Sequence, residues 1–107
     1  MPVIKLEFDD KVVSLTYVER LSLAVRDIVS EETGIKEVFV YANTALLKVQ
    51  VDPLEIFVEM SASKVADADK LIGQIKDRIV AWKKVVGFIH PINLTLIPVH
   101  WKLAIGI

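Results

Sequence analysis

The sequence contains no cysteine among its 107 residues. Disulfides, thiolate metal sites and a cysteine nucleophile are therefore excluded. A surplus of positive charge is also missing, because 13 basic residues are set against 14 acidic ones and the net charge is −1. A face that binds duplex nucleic acid needs such a surplus, so we expect no nucleic-acid partner. No apolar run approaches the roughly 20 residues that span a bilayer, and the alternating residues 1–7 do not resemble a signal peptide. We therefore expect no membrane partner and a cytoplasmic protein.

Glycine and histidine are scarce, which limits the chemistry further. The four glycines are far apart in the sequence, so neither a phosphate-binding loop nor a dinucleotide fingerprint is present. His90 and His100 are the only imidazoles, and no carboxylate or third histidine shares their spacing. Metal sites need three or four converging ligands. We therefore expect no metal and no cofactor.

Apolar residues, in contrast, are abundant. They make up 53% of the chain and charged residues 25%, whereas soluble domains average roughly 45–50% apolar. A chain of this length normally buries only about two thirds of the surface that it exposes when unfolded. The excess lies mainly in a run at 54–60 and in the alternating tail 99–107. We interpret these two segments as contacts between copies of the chain, and expect a homo-oligomer.

The first half of the chain has the pattern strand, helix, strand. Residues 4–8 alternate between apolar and polar, as in a half-buried strand. Thr16 stands three residues before Glu19, the spacing of a capping box that begins a helix. Gly34 is the residue type that commonly ends one. β-Branched and aromatic residues then predict a second strand over 37–42.

The second half repeats this layout. A third strand is predicted over 54–60, where apolar residues without clean alternation suggest burial on both faces. A long amphipathic helix follows over 66–86. A fourth strand is predicted over 92–97, and the tail from 99 to 107 alternates like a further strand. The order βαβ–βαβ predicts an α+β fold over residues 1–107, one domain, with a four-stranded mixed sheet, two helices on one face and a C-terminal tail strand.

Two folds fit this order: the ferredoxin-like split βαβ and the tautomerase fold, in which each half is a βαβ unit. Three short stretches are similar to the tautomerase and macrophage migration inhibitory factor (MIF) superfamily. They are the opening Met1-Pro2, the helix end at 32–36 (Glu-Thr-Gly-Ile-Lys) and the turn at 60–65 after the third strand. The chain resembles that superfamily over nearly its whole length.

A closer likeness is to the bacterial and archaeal DUF1904 family, of unknown function. The chain resembles it in the Met-Pro opening, in Asn43-Thr44 after the second strand, in the segment 53–56 and in Ile97-Pro98. It departs from that family in the tail, where the usual paired tyrosines and Gly-His-Phe-like ending are absent.

The resemblance implies an enzyme that acts on a small keto or enol acid. Its base would be Pro2, exposed as the N-terminal amine after removal of Met1, with Lys36 as the electrostatic partner. Ala62, Asn93 and Thr95 take the positions expected to contact substrate. The resemblance also implies a homotrimer whose bare sheet faces pack around a threefold axis, with the tail strand added to a neighbour's sheet edge.

Several departures keep other interpretations open. Bacterial tautomerases hold a substrate carboxylate with arginines, but here Arg20, Arg26 and Arg78 all fall on predicted helices. The aromatic residue expected near position 93 or 95 is replaced by a polar one. A non-catalytic oligomeric module of the same fold therefore remains an alternative, as does a ferredoxin-like small-ligand-sensing domain.

Overall fold

The computed structural model describes residues 1–107 and has the predicted order of elements. Four strands and two long helices alternate, with one short 3₁₀ segment after the third strand. The elements are β1 (Val3–Phe8), α1 (Leu15–Thr33), β2 (Phe39–Asn43), β3 (Leu54–Ser61), the 3₁₀ segment Ala62–Lys64, α2 (Ala68–Val86) and β4 (Asn93–Val99).

The sheet has the strand order β2-β1-β3-β4. β1 pairs in parallel with β2 and antiparallel with β3, and β3 pairs in parallel with β4. The two strands of each βαβ unit are thus direct neighbours. In a ferredoxin-like split βαβ, another strand separates them. The topology therefore selects the tautomerase-like arrangement and excludes the ferredoxin-like fold behind the ligand-sensing alternative.

The core lies between the helices and one face of the sheet. Alternate residues of β1 and β3 are buried, because successive side chains of a strand point to opposite faces. The helices contribute stripes at three- and four-residue spacing. The fully buried residues with the largest side chains include Ile4, Leu6, Leu21, Leu54, Ile56, Met60 and Ile75.

Helix α1 begins two residues earlier than the capping-box pattern predicts. Ser14, not Thr16, is the N-cap, and its side chain accepts a hydrogen bond of 3.4 Å from the Tyr17 backbone N–H. Thr16 already lies inside the first turn. The end of the helix is as predicted, because Gly34 has φ +71°, a left-handed conformation that costs other residues about 1–2 kcal/mol.

The third strand is not apolar and buried on both faces in the single chain, as its sequence suggested. Leu54, Ile56, Val58 and Met60 are buried, but the residues between them are only half-buried. The interruption of the alternation comes from Phe57, which lies on the face without helices. Both helices pack against the opposite face, and on this one the connection between β2 and β3 approaches Glu7 and Glu55.

The tail forms no strand within the chain. Residues 100–107 carry no regular secondary structure, and Ile105 and Ile107 are largely exposed. A strand needs a neighbour to complete its hydrogen bonds, and no other strand of this chain pairs with the tail. Its addition to a second copy remains a prediction. Neither helix of the fold is both long and apolar enough to cross a membrane.

Candidate functional site

Pro2 lies at one end of the sheet, immediately before β1. It is buried, and its carbonyl accepts a 3.1 Å hydrogen bond from the backbone N–H of Phe39, the first residue of β2. β3 runs antiparallel to β1, so its last residues reach the same end. With Met1 attached, the Pro2 nitrogen is an amide without basicity. Removal of Met1 would turn it into a secondary amine at a fixed position between two strands.

Lys36 reaches the same end from the other side. It follows the helix-ending Gly34 and precedes β2, whose first residue is level with Val3. The side chain is exposed, and the lysines that form ion pairs within the chain are Lys5 and Lys48. Lys36 therefore has no ion-pair partner within the chain and lies in the connection at the end of the sheet that also holds Pro2.

Ala62 completes this end of the sheet. It opens the 3₁₀ segment that follows β3 and is half-buried. The turn is held by a hydrogen bond of 3.2 Å from Val65 N–H to the Ala62 carbonyl, and by Ser61 and Ser63, whose hydroxyls lie 2.9 Å apart. The fold thus brings Pro2, Lys36 and Ala62 to the same end of the sheet, although Pro2 and Ala62 are far apart in the sequence.

Asn93 and Thr95 do not join them within one chain. Both lie at the beginning of β4, whereas the part of β4 level with Pro2 is near Pro98. At about 3.3 Å per residue, Asn93 is displaced along the sheet by roughly 17 Å and Thr95 by roughly 10 Å. The Asn93 amide instead donates a 2.9 Å hydrogen bond to the Asp52 carboxylate.

The face of the sheet without helices, which we call the bare face, is mainly apolar toward Pro2 and polar at its other end. The row across the strands near Pro2 is Phe39, Val3, Glu59 and Ile97, with Val99 beyond it; the middle row is Tyr41, Lys5, Phe57 and Thr95; and the row at the other end is Asn43, Glu7, Glu55 and Asn93. Lys5 of the middle row forms an ion pair of 3.3 Å with Glu59 of the row near Pro2. The sequence pattern alone does not show this arrangement, which appears only when the strand registers place alternate residues side by side.

No arginine reaches the bare face. Arg26 pairs with the adjacent Asp27 at 3.0 Å, and Arg78 of α2 pairs with Glu31 and Glu32 of α1 at 3.1 and 3.6 Å. These arginines lie on the helices, as predicted. Any carboxylate bound beside Pro2 in this chain would therefore meet a lysine instead of a guanidinium.

The two histidines are separated by β4. The His90 ring lies edge-on to the Phe88 ring, with 5.6 Å between centroids, and His100 is exposed just after the strand. No three histidine, aspartate or glutamate side chains are grouped so that they could hold a metal ion.

Structural comparison identifies the architecture. The structure of malonate semialdehyde decarboxylase, solved in wild-type, mutant and inactivated forms, matches with a TM-score of 0.68 at 8% identity, covering 97% of this chain and 92% of that one. A fused 4-OT described as a symmetric trimer matches with a TM-score of 0.66 at 13% identity, covering 98% and 94%. The chain has the tautomerase/MIF fold.

The tautomerase/MIF fold match extends to the family of unknown function that the sequence resembles. A DUF1904 domain from Sebaldella termitidis has a TM-score of 0.56 at 13% identity, covering 94% of this chain and 90% of that one. No protein-family model matches the sequence, and no curated protein does either. The neighbours thus share the fold across low sequence identity, and some of them are enzymes.

Proposed function

We propose that this chain is a subunit of an enzyme that moves a proton at the α-carbon of a small keto or enol acid. Pro2 is the base, once Met1 has been removed. The observation that carries the proposal is the position of Pro2, which is buried at the start of a central strand and held there through its carbonyl by β2.

The chemistry follows from the amine. An N-terminal amino group has an ordinary pKa of about 7.7–8.0, and burial lowers the pKa further because it disfavours the charged form. The Pro2 amine would then be largely neutral at neutral pH and able to accept the α-proton of a keto acid. The proton is returned to the enolate oxygen or to carbon, which completes the keto–enol exchange.

Lys36 is the proposed electrostatic partner. Lys36 is exposed in the connection between α1 and β2, at the Pro2 end of the sheet. A fixed positive charge stabilises the enolate oxygen as negative charge develops there. Ala62 on the third side would contact the substrate through its methyl group. This arrangement uses one lysine where bacterial tautomerases use arginines.

Self-association would complete the site. The bare face has an uncovered apolar end beside Pro2, and one structural neighbour is described as a trimer. In a homotrimer, a second copy would bring its Asn93 and Thr95 to the Pro2 end of the first, which one chain alone does not do. The exposed tail would then add to the neighbour's sheet edge, where its backbone groups find partners.

The test begins with intact-mass measurement of the protein expressed in its native host. A retained Met1 rules out the proline mechanism. For the processed protein, ketonisation of phenylenolpyruvate is followed by absorbance for wild type, Pro2→Ala, Lys36→Ala and the control Pro91→Ala, whose proline is exposed in the loop before β4. We expect the first two variants to lose most of the rate and the control to retain it. Equal rates for wild type and Pro2→Ala would refute the role of Pro2.

A non-catalytic oligomeric module of the same fold is the second candidate. The absence of arginine from the bare face favours it, because the usual carboxylate-binding group is missing. This alternative predicts processed, self-associated protein that does not accelerate ketonisation above the rate in buffer.

A further inference from the structure

A cleft at the end of the molecule opposite Pro2 is not used by the proposed function. It lies between the beginning of α1 and the end of α2. Two adjoining depressions of about 270 and 380 Å³ form it, and they share Gly87, Phe88 and Ile89. We call this the Phe88 cleft. Because the fold places Pro2 before β1 and this cleft beyond the other end of that strand, the two sites are distinct.

The first depression is aromatic and apolar. The Tyr17 and His90 rings both meet Phe88 edge-on, with centroids 5.4 and 5.6 Å away, and Val12 and Val13 form part of the wall. Pockets that bind small molecules are typically built this way, with apolar walls and a few polar groups. The only side-chain hydrogen bond among the groups of this depression joins Tyr17 N–H to Ser14. The phenol and imidazole therefore remain available to a ligand.

The second depression supplies positive charge. Lys83 and Lys84 form part of its wall, and the Lys83 ammonium lies 5.9 Å from the centre of the Phe88 ring. No acidic side chain is present in the wall of either depression, although the chain has 14 acidic residues. An anion in the second depression would therefore meet two lysines and no acidic side chain in the wall.

The mouth of the cleft exposes apolar surface. Ile89 is 84% exposed and Val12 is 44% exposed, on either side of the buried Phe88. Contiguous exposed apolar surface around a depression marks a binding site more often than isolated exposed residues do. A flat ring placed in the first depression would cover the half-buried Tyr17 and the exposed Ile89 above the buried Phe88.

We infer that the Phe88 cleft binds a small aromatic carboxylate. The ring lies in the depression formed by Tyr17, Phe88 and His90, and the carboxylate points toward Lys83 and Lys84. The aromatic walls select a flat ring, since edge-on and stacked aromatic contacts add to simple burial. The lysines and the absence of acid select the negative charge. This site would hold a ligand without reacting with it.

The experiment is a titration of the full-length protein with benzoate, followed by NMR chemical shifts of backbone amides. We expect saturable shifts at Tyr17, Gly87, Phe88 and His90. Benzyl alcohol, which has the ring without the charge, should bind more weakly. Added salt should weaken the binding of benzoate and leave the binding of benzyl alcohol unchanged, because salt screens exposed charges.

Two variants test the assigned groups. Ile89→Asp places a negative charge at the mouth and should weaken benzoate binding about tenfold. The control Leu46→Asp places the same charge at an exposed apolar residue outside the cleft and should leave benzoate binding unchanged. The double variant Lys83→Gln/Lys84→Gln should weaken binding about fivefold. These side chains are at the surface, so the variants should fold.

Three outcomes would overturn the inference. The first is the absence of saturable shifts at the cleft residues. The second is equal binding of benzoate by wild type and Ile89→Asp. The third is loss of binding in Pro2→Ala with no loss in Ile89→Asp, which would place benzoate at the Pro2 end. If Pro2→Ala lacks ketonisation activity but keeps the cleft shifts, both assignments stand separately.

Discussion

The apolar end of the bare face should control self-association. On this face Phe39 and Tyr41 of β2 lie beside Val3 and Lys5 of β1. Their side chains are 38% and 57% exposed in the single chain. We predict that the double variant Phe39→Ser/Tyr41→Ser is shifted strongly toward the monomer. The change removes two aromatic side chains without placing a charge on the sheet.

The magnitude follows from the exposed area. If each aromatic side chain has about 200 Å² of surface, the exposed fractions of Phe39 and Tyr41 together amount to roughly 190 Å². At about 25 cal/mol per Å², covering all of it contributes about 5 kcal/mol for each copy. If a partner covers only half of that area, the loss is about 2.4 kcal/mol, and the association constant falls roughly 50-fold.

The assay is sedimentation velocity over a concentration series, with circular dichroism and thermal unfolding to establish that the variant is folded. The matched control is Leu46→Ser/Leu47→Ser. These two side chains are even more exposed, at 106% and 81%, but they lie in the connection between β2 and β3 and not on the sheet face. We expect the control to associate like wild type.

Two results would refute this reasoning. Wild-type protein that sediments as a 12.0 kDa monomer at every concentration would show that the bare face does not associate. A folded Phe39→Ser/Tyr41→Ser variant that associates as strongly as wild type would show that the contact lies elsewhere, with the loop leucines as the first candidates.

Three further predictions concern stability. Leu21→Ala, at a fully buried position of α1, should lower the free energy of unfolding by about 2–5 kcal/mol in urea denaturation, and a loss under about 1 kcal/mol would contradict the core assignment. Ser14→Ala should cost about 1 kcal/mol because it removes the N-cap, whereas Thr16→Ala should cost less than about half of that; the reverse order in thermal unfolding would restore Thr16 as the cap. The Lys48 ammonium lowers the pKa of Asp10 from its ordinary 3.8, and Asp10 raises that of Lys48 from 10.5. Between pH 3.8 and pH 10.5 this ion pair should therefore hold the 44–51 connection in place. It should weaken as the pH falls through the lowered pKa of Asp10, and also as the pH rises through the raised pKa of Lys48. An NMR titration of the Asp10 carboxyl should give a pKa below 3.8, and Lys48→Met should return that pKa toward its ordinary value; an unchanged pKa in the variant would contradict the pairing.

The local pattern of the sequence was sufficient for the four strands and two helices of the sheet layer, but not for the tail. Alternation in β1 and the helical stripes follow directly from burial on one face. Both helices end at a glycine, α1 at the predicted Gly34 and α2 at Gly87. The start of α1 was misplaced because Ser14 and Thr16 are both good capping residues. Only the backbone conformation distinguishes them: Ser14 is extended and Thr16 is helical.

The candidate site was predictable only in part. The Met-Pro opening indicated Pro2, and the Thr-Gly helix end indicated Lys36, through resemblance to known proteins. Neither residue indicates by itself that both lie at the same end of the sheet. Asn93 and Thr95 were predicted to belong to the same site, but within one chain the register of β4 against β3 places them at the beginning of β4, away from Pro2. Register depends on pairing between distant segments, which local pattern does not encode.

The sequence by itself determined the class of protein: a cysteine-free α+β chain with more apolar surface than one small core uses. That follows because composition and short-range periodicity report how much surface must be buried and by which kind of element. The tertiary structure decided the rest. Parallel pairing of β1 with β2 and of β3 with β4 excluded the ferredoxin-like alternative, divided the bare face into apolar and polar ends, and left residues 100–107 without a strand partner. These features arise from contacts between residues remote in the chain, so they become visible only when the sheet is assembled.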